Sequence, residues 1–391
     1  MSSSICAIIP TYNRMHMLRE CVDSVLAQTR AIDQIMVVND GSTDDTEAVV
    51  RSYGDRIVLI NKENGGKASA LNLALAQCTS DYVWICDDDD IAAPDGIEHL
   101  ATALDSDDIL DCAFGICVWF HDENGKRIYS NPASIARNGE TNLKILLLEE
   151  MLTSLNAMLV RRTSYAKAGP FREDLIRSQD YDMLIKLMRN AKIKYVPKPV
   201  YYLRQHEGIR GATADAFSAK ENTRKWQEYD RKIFSWVRQE FLLEEFTPTF
   251  ALGWGHAATK RAAMTQRACI FARREMWKDA IDDFIEAEKL CSRPATPEEL
   301  QLAEHVVVRT VLFPKTAVFT DPEWIEGMHA CFRANRYSRS IIIAGCRPFV
   351  WRARVMFQSG NLAGGIRIMR ALVGILGIKG TCSRLLSSIL R

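Results

Sequence analysis

Nowhere in these 391 residues do eighteen apolar residues run together, so no segment is long and apolar enough to span a bilayer as a helix. The opening stretch, "MSSSICAIIPTYNR", has no basic n-region and only a short apolar run. It does not read as a signal peptide, and a cytoplasmic location is the expectation. The eleven cysteines form no CxxC pair and no Cys/His ligand spacing; odd in number and scattered, most read as small buried apolar residues in a reducing compartment. The first 200 residues carry no basic stripe with interleaved aromatics, so no nucleic-acid partner is expected. There is no GxxxxGK[ST] loop, and no GxGxxG follows a strand, which excludes a P-loop and a dinucleotide fingerprint. With 47% apolar residues, 25% charged residues and a formal net charge of +1, the composition is ordinarily globular and the global charge points to no partner.

What is present is length and alternation. Single cores stop growing near about 250 to 300 residues, so two domains are expected. Short β-rich runs at 4–9, 34–38, 57–60 and 82–86 alternate with helix-period segments at 14–29, 42–53 and 67–77. That alternation predicts βαβ units around a mostly parallel sheet covered by helices on both faces. From residue 112 the strands lengthen: "DCAFGICVWF" and "NAMLVRR" are expected to run antiparallel to the first set. A helix over 178–191 follows, then two strands, "KIKYV" and "VYYLRQH". Past residue 212 helices dominate, giving an α/β domain over 1–212 and an all-α domain over 213–391. Segments 260–290 and 351–376 each read as a helical hairpin of tetratricopeptide-like rhythm, two copies where such stacks need about three. The last segment, "GGIRIMRALVGILGIKGTCSRLLSSILR", fits a packed terminal helix and is also compatible with peripheral contact to an anionic membrane surface.

In sheets of this kind ligands collect at the carboxyl ends of the strands. The unusual residues sit there: "PTYNR" after the first strand, "NDGSTD" after the second, "NKENGGK" after the third and "DDDD" (87–90) after the fourth. Four adjacent carboxylates at a buried strand's end repel one another and resist desolvation. Either the turn is solvated, or a hard divalent cation such as Mn²⁺ or Mg²⁺ relieves the repulsion. A calcium loop beginning at Asp87 would place Glu98 at its twelfth position, but Ala92 stands where that loop turns on Gly and Ile91 where it needs an oxygen ligand. Elsewhere the bland readings are Asn13 as a helix N-cap, Asp40 in an Asx turn, and Asp180 and Asp182 as acids favoured in a first helical turn.

"IIPTYNR", "VVNDGSTDDT", "NGGKASALNLAL", "DDDDIAAP", "GPFREDLIRSQDYDMLIKL" and "YYLRQHEG", in this order over residues 4–210, resemble the successive motifs of an inverting family 2 glycosyltransferase of GT-A fold. The helical remainder lies outside the resemblance. The likeness implies a nucleotide-sugar donor, most often UDP-linked, and a saccharide or glycan-lipid acceptor at a cytoplasmic membrane face. It implies that Pro10, Thr11, Tyr12, Arg14, Asp40, Lys67, Asp87 and Asp88 line the donor, with Asp40 against the base. The run alone leaves Asp87-x-Asp89 and Asp88-x-Asp90 open; the likeness, whose pattern has a Pro four residues past its last Asp, implies through Pro94 that Asp87 and Asp89 form the D-x-D pair. Asp88 is then a solvated spacer and Asp90 serves the acceptor side or a turn hydrogen bond. Asp89 and Asp87 would hold the metal together with His206, and Asp180 would be the general base, with Asp182 a cap or supporting group. Gln179 departs from the Glu commoner in that motif. A sugar-nucleotide nucleotidyltransferase would carry a Gly-rich, Arg-containing loop after the first strand, which "IIPTYNR" lacks. A non-catalytic protein acting through a partner of its helical half is the remaining alternative.

Overall fold

The structure, a computed structural model, describes residues 3–130, 143–149, 151–205, 222–291, 293–303 and 319–389. The chain forms two compact units, Met1–Gly139 with Glu150–Tyr229, and Glu140–Glu149 with Asp230–Arg391. The expected boundary at 212 falls outside the described residues; the units divide at Tyr229, and a short segment before Glu150 belongs to the helical unit.

The first unit is built on a nine-stranded sheet. β1 (Ile5–Thr11), β2 (Gln34–Asn39), β3 (Val58–Asn61) and β4 (Tyr82–Ile85) run parallel in the order β3-β2-β1-β4. Their crossovers are α1 (Met15–Leu26), α2 (Thr46–Arg51) and α3 (Gly66–Gln77). Every residue of β1 and β4 is buried, as their continuous apolar runs require. β3 departs from the expected double cover: it is the edge of the sheet, and Val58 is 44% exposed.

The sheet continues through β8 (Met158–Arg161), β6 (Cys112–Glu123), β9 (Ile193–Arg204) and β5 (Ile91–Ala92), with β7 (Lys126–Tyr129) paired to β6. Two sequence expectations are corrected here. β8 is antiparallel to β4, but β6 is antiparallel to β8 and so points the same way as the first set. "KIKYV" and "VYYLRQH" are one strand, β9, in spite of Pro197 and Pro199. Pro197 is tolerated because the β6–β9 register shifts between Phe114 and Ile116 and leaves it unpaired, and Pro199 stands opposite Ile116, next to a second shift before Cys117. Gly115 marks the bulge, since a Cβ there would lie 2.5 Å from Val200 Cγ1. α4 (Gly96–Asp105), α6 (Arg162–Ala168) and α7 (Gln179–Asn190) complete the unit.

The second unit is helical. After α5 (Leu143–Glu149) and the part of α8 (Asn222–Glu240) that follows Tyr229, α9 (Ala257–Arg273) and α10 (Trp277–Leu290) form the first expected hairpin, and helices Arg347–Gln358 and Leu362–Ile389 the second. Between them lies a third pair the sequence reading missed, Pro322–Ala334 and Arg336–Gly345. Its signals were local. Asp321 accepts from the Glu323 and Trp324 amides ahead of Pro322, and Asn335 and Ser338 cap each other's backbone at the next start. Arg261, fully buried, is satisfied by both Glu299 oxygens and by the carbonyls of Cys291, Arg293 and Pro294. The last helix breaks at Gly377, whose φ of 72° is left-handed, and buries Ile368, Ala371, Leu372 and Ile375. Among the described residues no helix is long and apolar enough to cross a membrane.

Candidate active site

A crevice opens where β1 and β4 part. β4 pairs with β1 from Ile5 to Ile8, and the last bond is Cys86 N–H to the Ile8 carbonyl, whereas β1 stays paired to β2 as far as Thr11. Pro10 points the edge it cannot use as a donor toward the side β4 has left, so the missing N–H costs nothing there. Beyond it, Thr11 is buried and Tyr12 is half-buried. Asn13 is not an N-cap. At φ 52° its amide N–H donates to Ser42 Oγ and its Oδ1 accepts from the Thr43 amide, tying the loop after β1 to the loop after β2.

The four aspartates separate by burial. Asp87 and Asp89 face the crevice with side chains 26% and 16% exposed, and Asp88 and Asp90 are buried. A tight turn after β4, closed by the Asp90 amide donating to the Asp87 carbonyl at 3.3 Å, separates them. Asp88 is therefore not the solvated spacer expected: burial lifts its pKa to about 6 against the pull of Arg14, whose Nη1 lies 3.0 Å from Asp88 Oδ1 and 2.5 Å from Asp89 Oδ2. Asp90 accepts from the Arg204 amide at 2.7 Å and from Asn156 Nδ2 at 3.0 Å. Burial, and then Asp89 and Asp87, push its pKa well above the usual range. Arg204 also spans the turn from outside, donating to the Asp89 carbonyl and pairing with Glu20 and Asp122. Carboxylate oxygens of Asp87, Asp89 and Asp90 lie within 4.8 Å of one another, close enough to share one cation.

Asp40, at the end of β2, is held from three directions. Lys62 Nζ lies 2.6 Å from Oδ1, the Gly65 amide donates to Oδ1 and the Gly66 amide to Oδ2. The two glycines bring backbone close, and the group they cradle is this carboxylate. Gly66 needs its freedom, at φ 85°. Lys62 was missed by the sequence reading; "NKENGG" after a strand was its only signal.

Lys67 links the acidic turn to α7. Its ammonium lies 2.5 Å from Asp87 Oδ1 and 2.9 Å from Asp180 Oδ2. Burial works against that charge, but Asp180 and Asp87 outweigh it and hold the lysine above its ordinary pKa. Burial raises the pKa of Asp180, with Lys67 opposing and Asp87 adding to the rise. Asp180 Oδ1 is buried without a hydrogen-bond partner. Asp180 sits in the first turn of α7 after Ser178, which is left-handed at φ 60°. Asp182 is not a cap. It is fully buried, with Lys186 Nζ at 2.7 Å and Arg172 Nη1 at 3.6 Å. His206 lies outside the described residues. Asn156 and Arg204, which position Asp90, were not singled out because each sits far along the chain from the turn it serves.

Parallel strands ending at an acidic crevice, with mixed strands beyond them, make this a GT-A type nucleotide-binding fold. The family Glycosyl transferase family 2 matches residues 6–168. An uncharacterized glycosyltransferase of Rickettsia typhi is 30% identical over 247 residues, 62% of this chain and 75% of that protein. The chain belongs to glycosyl transferase family 2. Chondroitin synthase of Pasteurella multocida is 32% identical over 200 residues, 49% of this chain and 20% of that one. Against several longer Rickettsia relatives the chain spans about a third of their length. Among solved structures, S. aureus TarS residues 1–349 in complex with UDP-GlcNAc superposes with a TM-score of 0.50 at 19% identity, covering 95% of this chain and 91% of that one. That likeness is one of fold.

Proposed function

We propose that this chain is a metal-dependent inverting glycosyltransferase, moving a sugar from a UDP-sugar to a hydroxyl of a saccharide or glycan-lipid acceptor at a cytoplasmic membrane face. One observation carries the reading: Lys67 joins Asp180 to Asp87, so a candidate base and a candidate cation-binding turn share one crevice. The names of its relatives support the substrates, a UDP-GlcNAc complex on one side and a chondroitin synthase on the other.

Asp89 and Asp87 offer an all-oxygen donor set that suits Mn²⁺ or Mg²⁺, with Asp90 beside them. Bound there, such an ion would neutralise diphosphate charge and ease departure of the nucleotide. The remaining work falls to the chain. Asp180 takes the proton of the acceptor hydroxyl, while Lys67 holds the carboxylate in place through Oδ2. Its raised pKa makes it a stronger base than a surface aspartate. Asp40 spends three acceptor positions on Lys62, Gly65 and Gly66, leaving one on Oδ2 for a single N–H donor, which is what the imide of uracil supplies.

The base works deprotonated, so activity falls as pH drops through the Asp180 pKa. Lys67 lowers that pKa. In Lys67→Met the acidic limb of the kcat/KM profile should therefore move to higher pH; a limb that stays put would separate Lys67 from the base.

The whole reading is tested by thermal shift of the full chain with nucleotides and NDP-sugars, with and without Mn²⁺. A ligand that binds only the native state raises Tm with its affinity. UDP with Mn²⁺ should give the largest shift, and no shift with any nucleotide would overturn the proposal.

A further inference from the structure

The net charge of +1 hides a strong asymmetry. Residues 327–391 contain eleven Arg and Lys and not one Asp or Glu, which leaves the first 326 residues with a formal charge of −10. The same stretch holds most of the exposed large apolar side chains of the helical unit, including Trp351 at 67%, Leu362 at 61% and Ile378 at 72%.

The two kinds of residue share faces. On helix Arg347–Gln358, Phe349 and Ala353 are buried, whereas Trp351, Arg354 and Val355 are exposed at i, i+3 and i+4. On the helix that begins at Leu362, Ile368, Ala371, Leu372 and Ile375 are buried, whereas Ile366, Arg367, Arg370 and Val373 are exposed. A three-residue turn, Ser359–Asn361, joins the two as antiparallel neighbours. Each helix thus has an inner apolar stripe that packs and an outer stripe that mixes aliphatic groups, one tryptophan and arginines.

An outer stripe of that kind selects its occupant. A second copy of the same face would set arginine against arginine. A single-stranded nucleic acid would use a row of aromatic platforms, and Trp351 is the sole aromatic on these outer stripes besides Phe357 at the turn. Aliphatic side chains flanked by arginines, with a tryptophan among them, match the headgroup and acyl boundary of an anionic bilayer.

We propose that the hairpin over residues 347–378 is a peripheral membrane-docking face for anionic lipid. Trp351, Val355, Leu362 and Ile366 enter the interface while Arg354, Arg367 and Arg370 pair with lipid phosphates. This surface includes the first turns of the hairpin, not only the terminal helix that the sequence pointed to. It needs neither donor nor metal, so its test is independent of the catalytic reading.

The full chain is mixed with vesicles of phosphatidylcholine alone or of phosphatidylcholine with phosphatidylglycerol, and partitioning is read by flotation. Binding should require phosphatidylglycerol and weaken as salt rises. It should bring a blue shift of tryptophan emission that Trp351→Ser removes. Partitioning should drop roughly fivefold for each of Arg354→Gln, Arg367→Gln and Arg370→Gln, with Tm unchanged because all three are exposed. Equal binding to both vesicles, binding to neither, retention of full binding by the triple variant, capture of single-stranded RNA without vesicle binding, or a dimer abolished by Trp351→Ser would each overturn the proposal.

Discussion

Asp180→Asn should reduce sugar transfer by at least about 10²-fold, and up to about 10⁴-fold, while UDP affinity in the presence of Mn²⁺ stays within a few-fold of the parent. The substitution keeps size and shape but removes the ability to hold a proton taken from the acceptor. Lys67 retains Asp87 as a partner, so the acidic turn is left in place. The decisive comparison is therefore between turnover and binding, measured as transfer rate and as calorimetric UDP affinity on one preparation. Asp182→Asn is the control two residues on. Asp182 is fully buried against Lys186 and Arg172, so its loss should lower Tm and leave transfer by the folded protein near the parent's. If Asp180→Asn turned over normally, or if both variants lost only stability, the general base would have to be sought elsewhere.

Much of this arrangement was legible because the chemistry lies where local pattern is strongest. The donor-side candidates cluster at or just past the ends of short apolar strands, in the segments that close β1, β2, β3 and β4. Strand existence in the parallel half could be read for the same reason: a run such as "SICAII" is apolar on both faces only when both are covered. Pairing direction was less accessible. β8 enters the sheet between β4 and β6, and nothing in "DCAFGICVWF" records which neighbour it will meet. The bulge that fuses two expected strands into β9 rests on Gly115 meeting Val200, a contact between residues 85 positions apart. The same limit explains Lys62, Asn156 and Arg204, whose roles come from partners that only the fold brings near. It also explains Lys67, which the family resemblance placed at the donor but whose bridge between Asp87 and Asp180 only the fold shows.

Substitutions in the acidic turn test its register directly. Asp89→Ala should cost at least about 100-fold in Mn²⁺ affinity, since even groups that merely support a metal ligand are worth about 10- to 100-fold. Asp88→Asn should cost much less. Asp88 is buried and turned to Arg14, not to the crevice, so it offers no oxygen to an ion shared by its neighbours. Its effect should be indirect: with Asp88 neutral, Arg14 keeps only Asp89 within reach, and the guanidinium then competes more strongly with the cation for that carboxylate. The same neutralisation occurs in the parent as pH falls through about 6, the value to which burial lifts Asp88. Mn²⁺ affinity of the parent should therefore weaken as pH falls through about 6, and the weakening should be smaller in Asp88→Asn, where the Asp88 contribution is gone and that of Asp90, also raised by burial, remains. Direct titration of Mn²⁺ by electron paramagnetic resonance, without donor, reads all three proteins without relying on turnover. If Asp88→Asn abolished Mn²⁺ binding and Asp89→Ala did not, the pair would shift to Asp88 and Asp90, and the crevice-facing alternation of the turn would have to invert on binding.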